Sequence, residues 1–470
     1  MNPISSKVLL CAAILSCTMW LGVSSVSARA LAPDFIVTAA PVYKPLAELR
    51  GGERFPEGAQ LLLVHEGKAT ILVPDFVASA DADLSYDGKS VLFAGKRTLG
   101  DRWQIWEVNL ANHSVRRVVS TATDAERPLH LPGGRLVWAE RTGQMFELDS
   151  TDNGPSRKPA PRNPTADPGP LLLTHLQGSA FPVVVLRDGR ILFEAGYPLG
   201  SGSIPELYLV YADGSGVESV RCDHGRARWG GTQLESGDTV FTHGNSLARF
   251  TSAQANEVPV AAPRGEYAGS MAEIAPDLWL MSARTGAEKH YTIRAWKPGD
   301  RAMQTVLAEH GRDLVEPVLF APHARPNRHP SGLHPWDYAN LLAFDSRLSR
   351  AGDMKTAPAS VRLEMQDRSG KTVAMGTAPV EKDGSFFVKV PGDRPLRFVL
   401  LDKHGAVLRR ERGWFWARGG EQRICVGCHT GPERSTENRV PEVLLRSTTP
   451  VDLTVPIKPA AQHRAGKEGN

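Results

Sequence analysis

Residues 423–431 read R-I-C-V-G-C-H-T-G and contain the chain's one C-x-x-C-H. Five residues of this kind meet the demands of a covalent c-type haem. Two thiols, Cys425 and Cys428, can each form a thioether with a porphyrin vinyl group. His429 then lies beside the second attachment point, where an imidazole nitrogen reaches the iron. Other readings of the pair are a zinc site, a structural disulfide and a thioredoxin-like redox couple. Zinc asks for four ligands, and no second C-x-x-C is present. A redox couple asks for a βαβ setting with a helix after the first cysteine, whereas Gly431-Pro432 breaks a helix here. A Cys425–Cys428 disulfide would close a very small loop. Haem c is the expected cofactor, with zinc and the disulfide as the remaining alternatives.

Other side chains could complete such a site. His329 and His334, in R-H-P-S-G-L-H-P, are candidate sixth ligands or a second metal pair, and equally suit an exposed linker. Met354, Met365 and Met375 could supply a thioether, although Met365 sits in a strand-like stretch that suits a core. Trp414, Phe415 and Trp416 could pack on a porphyrin or fill a β core. Arg410, Arg412, Arg418, Arg423 and Arg434 could pair with propionates or simply be solvated. Cys222 and His224, in R-C-D-H-G, could form a metal pair, with a lone buried thiol as the plainer reading. The 41 residues after His429 hold no methionine and one histidine, His463, so the cover for a porphyrin is expected from what precedes the motif. No G-x-S-x-G, H-E-x-x-H or Walker loop occurs, and no acid/base pair can be named.

The elements that would position these groups are β-strands. Segments such as DADLSYDGKSVLFAGK (81–96), VVVLRDGRILFE (183–194) and LESGDTVFTHGNSLARF (234–250) repeat a strand, a tight turn and a second strand. Asp87-Gly88 and Asp188-Gly189 are strong hairpin turn pairs, because glycine accepts the positive φ such turns need. Gly88, Gly134, Gly189 and Gly237 recur at a blade-like spacing of about 50 residues. Five units are clear, and weaker candidates lie at 58–73 and near 316–320. The expectation is an all-β chain whose first domain is a six- or seven-bladed β-propeller over 31–322, similar to TolB-type and WD40-like repeats. A Pro- and His-rich linker, 323–335, follows. Period-two alternation in NLLAFDS, ASVRLEMQD, GSFFVKVP and PLRFVLLDKHG predicts a small β-sandwich over 336–424. Residues 425–470 then form the haem-attachment segment and a polar tail.

Bulk properties narrow the function. Lys plus Arg number 55 against 51 Asp plus Glu, and no dense basic cluster occurs, which excludes a nucleic-acid-binding reading. Residues 1–30 carry a basic start, an apolar run and S-V-S-A-R-A, the layout of a secretory signal peptide. No other apolar run is long enough for a membrane span. Of five cysteines, Cys11 and Cys17 fall in this leader, leaving three, which argues against a disulfide framework. The expected compartment is periplasmic or secreted.

The run from PWDYANLLAFDS through VEKDGSFFVKVPGDRPLRFVLLDKHG to RGWFWARGGEQRICVGCH closely resembles the middle domain of the hydrazine synthase alpha subunit family. The resemblance covers about residues 330–445 in detail and the propeller in type. It implies covalent haem on Cys425 and Cys428. In that family a tyrosine four residues after the motif histidine ligates the iron; here that position is Glu433, and no tyrosine follows Tyr338. The sequence therefore points to an exported monohaem protein, with electron transfer or another redox role in a complex whose partner docks on the propeller. A propeller scaffold with a structural haem, and a haem enzyme acting on a small nitrogen compound, are the alternatives.

Overall fold

The computed structural model describes residues 33–142, 145–150, 170–197, 199, 204–221, 224–251, 256–349, 352–367, 369–427 and 436–456. Cys222, Cys428, His429, Glu433, Arg434, His463 and the leader lie outside them.

Six four-stranded antiparallel sheets form a propeller. From the innermost strand outward, the first blade is Ala78–Leu84, Ser90–Lys96, Gln104–Asn109 and Val115–Val119. The inner strands of the next four blades are Ala125–Leu131, Ala180–Val185, Arg228–Gln233 and Glu266–Ala275. The sixth blade joins the two ends of the ring. Its inner strand, Asp313–Leu319, pairs with Phe35–Ala40, followed by Gln60–His65 and Lys68–Ile71. The two weak segments at 58–73 and 316–320 are thus parts of one blade, and the blade number is six.

Burial explains the sequence pattern. The second strands are covered on both faces by neighbouring blades, so VLFAG in Ser90–Lys96 and ILFEAG in Arg190–Tyr197 are buried without alternation. Outer strands such as Lys68–Ile71 are exposed throughout. Inner strands crowd near the axis and carry small residues there: Ala78, Ala80, Ala125 and Ala268 share a core with Tyr43 and Phe55. Tyr43 and Phe55 belong to the segment 41–58, which plugs one end of the central channel.

All six inner strands depart from regular register midway, near Asp81, Arg127, Val183, Gly230, Gly269 and Glu316. Five of these bulged residues take positive φ: Asp81 at 61°, Arg127 at 52°, Gly230 at 62°, Gly269 at 70° and Glu316 at 58°. Glycine accepts that conformation freely. Asp81, Arg127 and Glu316 do so at a cost of order 1–3 kcal/mol each.

The remaining strands form the sandwich. One sheet has the order Gln422–Cys425, Tyr338–Ala343, Phe386–Pro391, Val451–Asp452; the other runs Thr372–Pro379, Ser360–Gln366, Leu396–Leu401, Val407–Arg410. Here the alternation is clean. In Tyr338–Ala343, Ala339, Leu341 and Ala343 face the core while their neighbours are half-buried. Leu453, beyond the attachment motif, returns to this core at 2% exposure.

Candidate functional site

Cys425 closes the edge strand Gln422–Cys425, which runs parallel to Tyr338–Ala343 with Cys425 opposite Ala343. Its carbonyl accepts the amide of Phe344 at 2.9 Å, fixing the strand end. The side chain packs, partly buried, against the sandwich core. Burial raises the thiol's pKa; Arg423 opposes this, and the charges of Glu411 and Glu421 add to it. Such surroundings favour an uncharged sulfur. A thioether meets that condition, and a thiolate does not. On the strand's other face Ile424 is 62% exposed, and Val426 just beyond is 42% exposed. Glu411 accepts the Phe398 amide at 2.8 Å, yet burial pushes its carboxyl up to about 7.

Several candidate residues have structural roles instead. Trp416 is fully buried, but in the propeller: it packs with Leu131, Leu173, Leu176 and Phe193. It is therefore neither sandwich core nor exposed to a porphyrin. Phe415 does pack on the sandwich, and Trp414 lies under the Arg397 guanidinium. Arg418 is 5% exposed and donates to the Leu172 carbonyl at 3.3 Å and to Asp393 at 3.0 Å. Arg423 binds Glu421 at 2.9 Å and the Trp416 carbonyl at 3.1 Å. Both side chains are thus engaged within the protein: Arg418 bolts the sandwich to the second blade, and Glu421, held by Arg423, accepts the Gly216 amide of the third at 3.2 Å. Arg410 pairs with Glu364 at 3.5 Å, and Arg412 is exposed.

Met375 is 3% exposed in the sandwich core, and Met354 and Met365 pack on the same cluster. His329 and His334 are exposed on the linker. His329 stacks on Tyr211 with ring centroids 3.9 Å apart, and His334 stacks on Trp336 at 4.3 Å. The linker itself is pinned to the propeller face: His323 donates its amide to the Tyr86 carbonyl, and Asn327 to that of Arg187. His224 engages Glu206 at 2.7 Å and stacks on Tyr197.

A second constellation lies at the propeller axis, and sequence reading did not find it. Arg54, from the plug, is 2% exposed and reaches three carboxylates: Glu48 at 3.0 Å, Glu316 at 2.6 Å, and Asp81. Arg127 lies 3.0 Å from Glu48 and 3.4 Å from Glu194, and its amide donates to Asp81 at 3.0 Å. Burial disfavours charge on Glu48, but Arg54 and Arg127 overcome it and hold its carboxyl at about 2. Burial raises Glu126 well above the ordinary range, helped by the charge of Glu48 and the hydrogen bond to it. Burial also raises Glu316, against the pull of Arg54. The members come from four blades and the plug, so their sequence spacing carries no motif. The one local signal was a charged residue interrupting an inner-strand run.

Residues 348–430 match the family model of the hydrazine synthase alpha subunit middle domain. Over 108 residues, 21% of this chain, the sequence is 28% identical to hydrazine synthase subunit alpha of Kuenenia stuttgartiensis, and the match spans 13% of that relative's length. The fold is similar to the solved hydrazine synthase from Kuenenia stuttgartiensis, with a TM-score of 0.72 at 16% identity, covering 88% of this chain and 72% of that one. TolB from Acinetobacter baumannii matches at a TM-score of 0.44 and 12% identity, over 60% of this chain and 66% of that one. The chain is alpha-subunit-like in architecture: a propeller followed by a middle domain of this type.

Proposed function

We propose that the chain is an exported, haem c-bearing subunit of a redox complex, with its propeller as the docking platform. The carrying observation is the setting of Cys425. The motif starts at the end of an edge strand, with its first sulfur turned toward an apolar core and its flanking residues Ile424 and Val426 exposed. That arrangement fits a porphyrin edge covalently anchored at the sandwich rim. Cys425 and Cys428 would hold the macrocycle and His429 would face the iron. When bound, a haem supplies one-electron chemistry or an open iron site for a small ligand. The chain's own part is to exclude water from one sulfur, to keep it uncharged, and to hold the attachment strand rigid through Arg423, Glu421 and Arg418. Glu411 is a half-buried carboxyl within electrostatic reach of Cys425, and its proton can leave near neutral pH.

The hydrazine synthase likeness supports a place in a multi-subunit complex handling small redox substrates. It covers a domain and a fold, so the shared reading is the haem-bearing platform and not a particular reaction. Among the described residues no helix is long and apolar enough to cross a membrane. The expected compartment is the periplasm, where haem attachment takes place.

Intact mass after co-expression with a haem-maturation system is the test. The expected product is the mature chain plus one haem, lost in Cys425→Ser/Cys428→Ser. Alkylatable thiols at both Cys425 and Cys428 of the exported protein would sink the proposal. Carbon monoxide titration of the reduced protein then separates the roles: a five-coordinate ferrous haem binds it, whereas a closed six-coordinate haem built for electron transfer does not.

A further inference from the structure

The axial cluster opens into a cavity of about 420 Å³ on the propeller face along which the linker runs. Its floor is charged, formed by Arg54, Asp81, Arg127, Glu194 and Glu316. Apolar residues, Leu84, Leu129, Val184, Met271 and Leu319 among them, also line it, beside charged Asp83, Arg187, Glu235 and Glu273. The floor is not balanced. Counting Glu48, which belongs to the axial cluster but does not line the cavity, four acids (Glu48, Asp81, Glu194 and Glu316) share two guanidinium groups. Both cations are already committed: Arg54 serves three of the acids, and Arg127 lies against Glu48 and Glu194.

Glu194 is the telling member. It is 3% exposed and lines the cavity. Its Oε1 accepts the Gly230 amide at 2.9 Å, but Oε2 has no hydrogen-bond partner. Nη1 of Arg127 stands 3.4 Å away as an ion-pair partner and makes no hydrogen bond to it. A buried carboxylate oxygen left without a donor costs more than a lost surface hydrogen bond, because it has given up its water. The backbone is spent on the same end: Asp81, Arg127 and Glu316 hold left-handed conformations that aim charged side chains at the axis.

We propose that this cavity binds a small organic cation, a primary ammonium or guanidinium on a compact apolar body, with Glu194 as the acceptor for the charged head. An ammonium brings three donors and one positive charge, which supply the missing hydrogen bond and reduce the excess of carboxylates. The apolar residues of the lining receive the carbon body. An anion would face the same surplus of carboxylates, to which Arg54 and Arg127 are already paired. A metal ion fits less well: among the described residues no three His, Cys, Asp or Glu side chains converge as ligands. The inference concerns the propeller alone and does not depend on haem at Cys425.

Isothermal titration of the full chain with n-butylammonium tests it, with n-butanol and butanoate as neutral and anionic controls of similar size. The expected result is saturable one-to-one uptake of n-butylammonium and none of either control. Glu194→Gln keeps the shape and the acceptor for Gly230 but removes the charge, and should weaken binding at least ten-fold. Ser270, which also lines the cavity, offers a second variant: Ser270→Lys places a tethered ammonium in the space and should abolish uptake. Circular dichroism checks that each variant is folded, and if Glu194→Gln is not, Ser270→Lys decides. Uptake of butanoate, absence of saturable n-butylammonium binding, or wild-type affinity in a folded variant would each overturn the proposal.

Discussion

Replacing Arg54 with methionine should destabilise the propeller, and by an amount that depends on pH. The side chain is 2% exposed and is the common partner of Glu48, Asp81 and Glu316. Methionine fills similar volume, so the loss is electrostatic. Removing one member of a buried ionic network while the others stay costs about 3–5 kcal/mol. Part of that cost can be escaped by protonation. Glu48 stays ionised because Arg54 and Arg127 overcome burial. Without Arg54, burial pushes Glu48 above the unfolded value of roughly 4.3 and pushes Glu316, already raised, further up. An acid whose folded pKa is raised binds more protons folded than unfolded, so stability is lost as pH rises from the unfolded pKa through the folded one. Each unit of that rise is worth about 1.4 kcal/mol. The variant should therefore lie about 3–5 kcal/mol below wild type at pH 8 and recover about 1–3 kcal/mol of the difference at pH 5. Urea unfolding followed by tryptophan fluorescence at the two pH values measures both numbers. A loss under 1 kcal/mol, or one equal at pH 5 and pH 8, would show that Arg54 is not the counter-charge holding the axis together.

Other expected outcomes are narrower. Trp416→Ala removes a fully buried indole from the sandwich–propeller contact and should cost about 3–5 kcal/mol, seen as early protease cleavage in residues 320–336. Gly420→Ala would set a Cβ 2.0 Å from the His334 carbonyl oxygen at a φ of 86°, so its melting temperature should fall by several degrees while Gly405→Ala, with open space around it, falls less. Glu411 has its folded pKa raised to about 7, so wild-type stability should decline between about pH 4.5 and pH 7 and then level. Glu411→Gln should flatten that slope and melt higher above pH 7; an unchanged pH profile would remove Glu411 as its source. Cys425→Ser alone should leave at most one thioether, read as haem lost on acid–acetone extraction at a higher rate than wild type.

Turn chemistry carried most of the fold in the sequence. Gly88, Gly134, Gly189 and Gly237 all take positive φ at the hairpin ends where the repeat spacing put them. Gly189 has a second reason to lack a side chain, since a Cβ there would meet the Asn327 oxygen at 2.4 Å, where the linker crosses. The sixth blade was split in the sequence because its inner strand and its three outer strands lie at opposite ends of the propeller segment. Local patterning cannot join residues 313–319 to residues 35–40. Trp416 was legible as apolar and buried, but not as belonging to the other domain, because nothing in a W-F-W run states which neighbour arrives. The axial cluster was hidden for a related reason. Asp81, Arg127, Glu194 and Glu316 are meaningless apart and become a site only when the ring brings three inner-strand bulges and one second-strand carboxylate together.

The clasp of the sixth blade also sets a timetable. A ring closed by its own last strand cannot shut while the chain is still being made, until residues 313–319 are available to pair with residues 35–40. The attachment motif follows that strand by 425 − 319 = 106 residues, and most of the sandwich lies between, its last strand Val451–Asp452 coming after the motif. With synthesis running from the N-terminus, the docking surface for Trp416 and Arg418 exists before the thiols do. The motif's cysteines thus arrive after that surface, and a chain arrested before Asp313 would leave one edge of Phe35–Ala40 unpaired and carry no thiol of this motif.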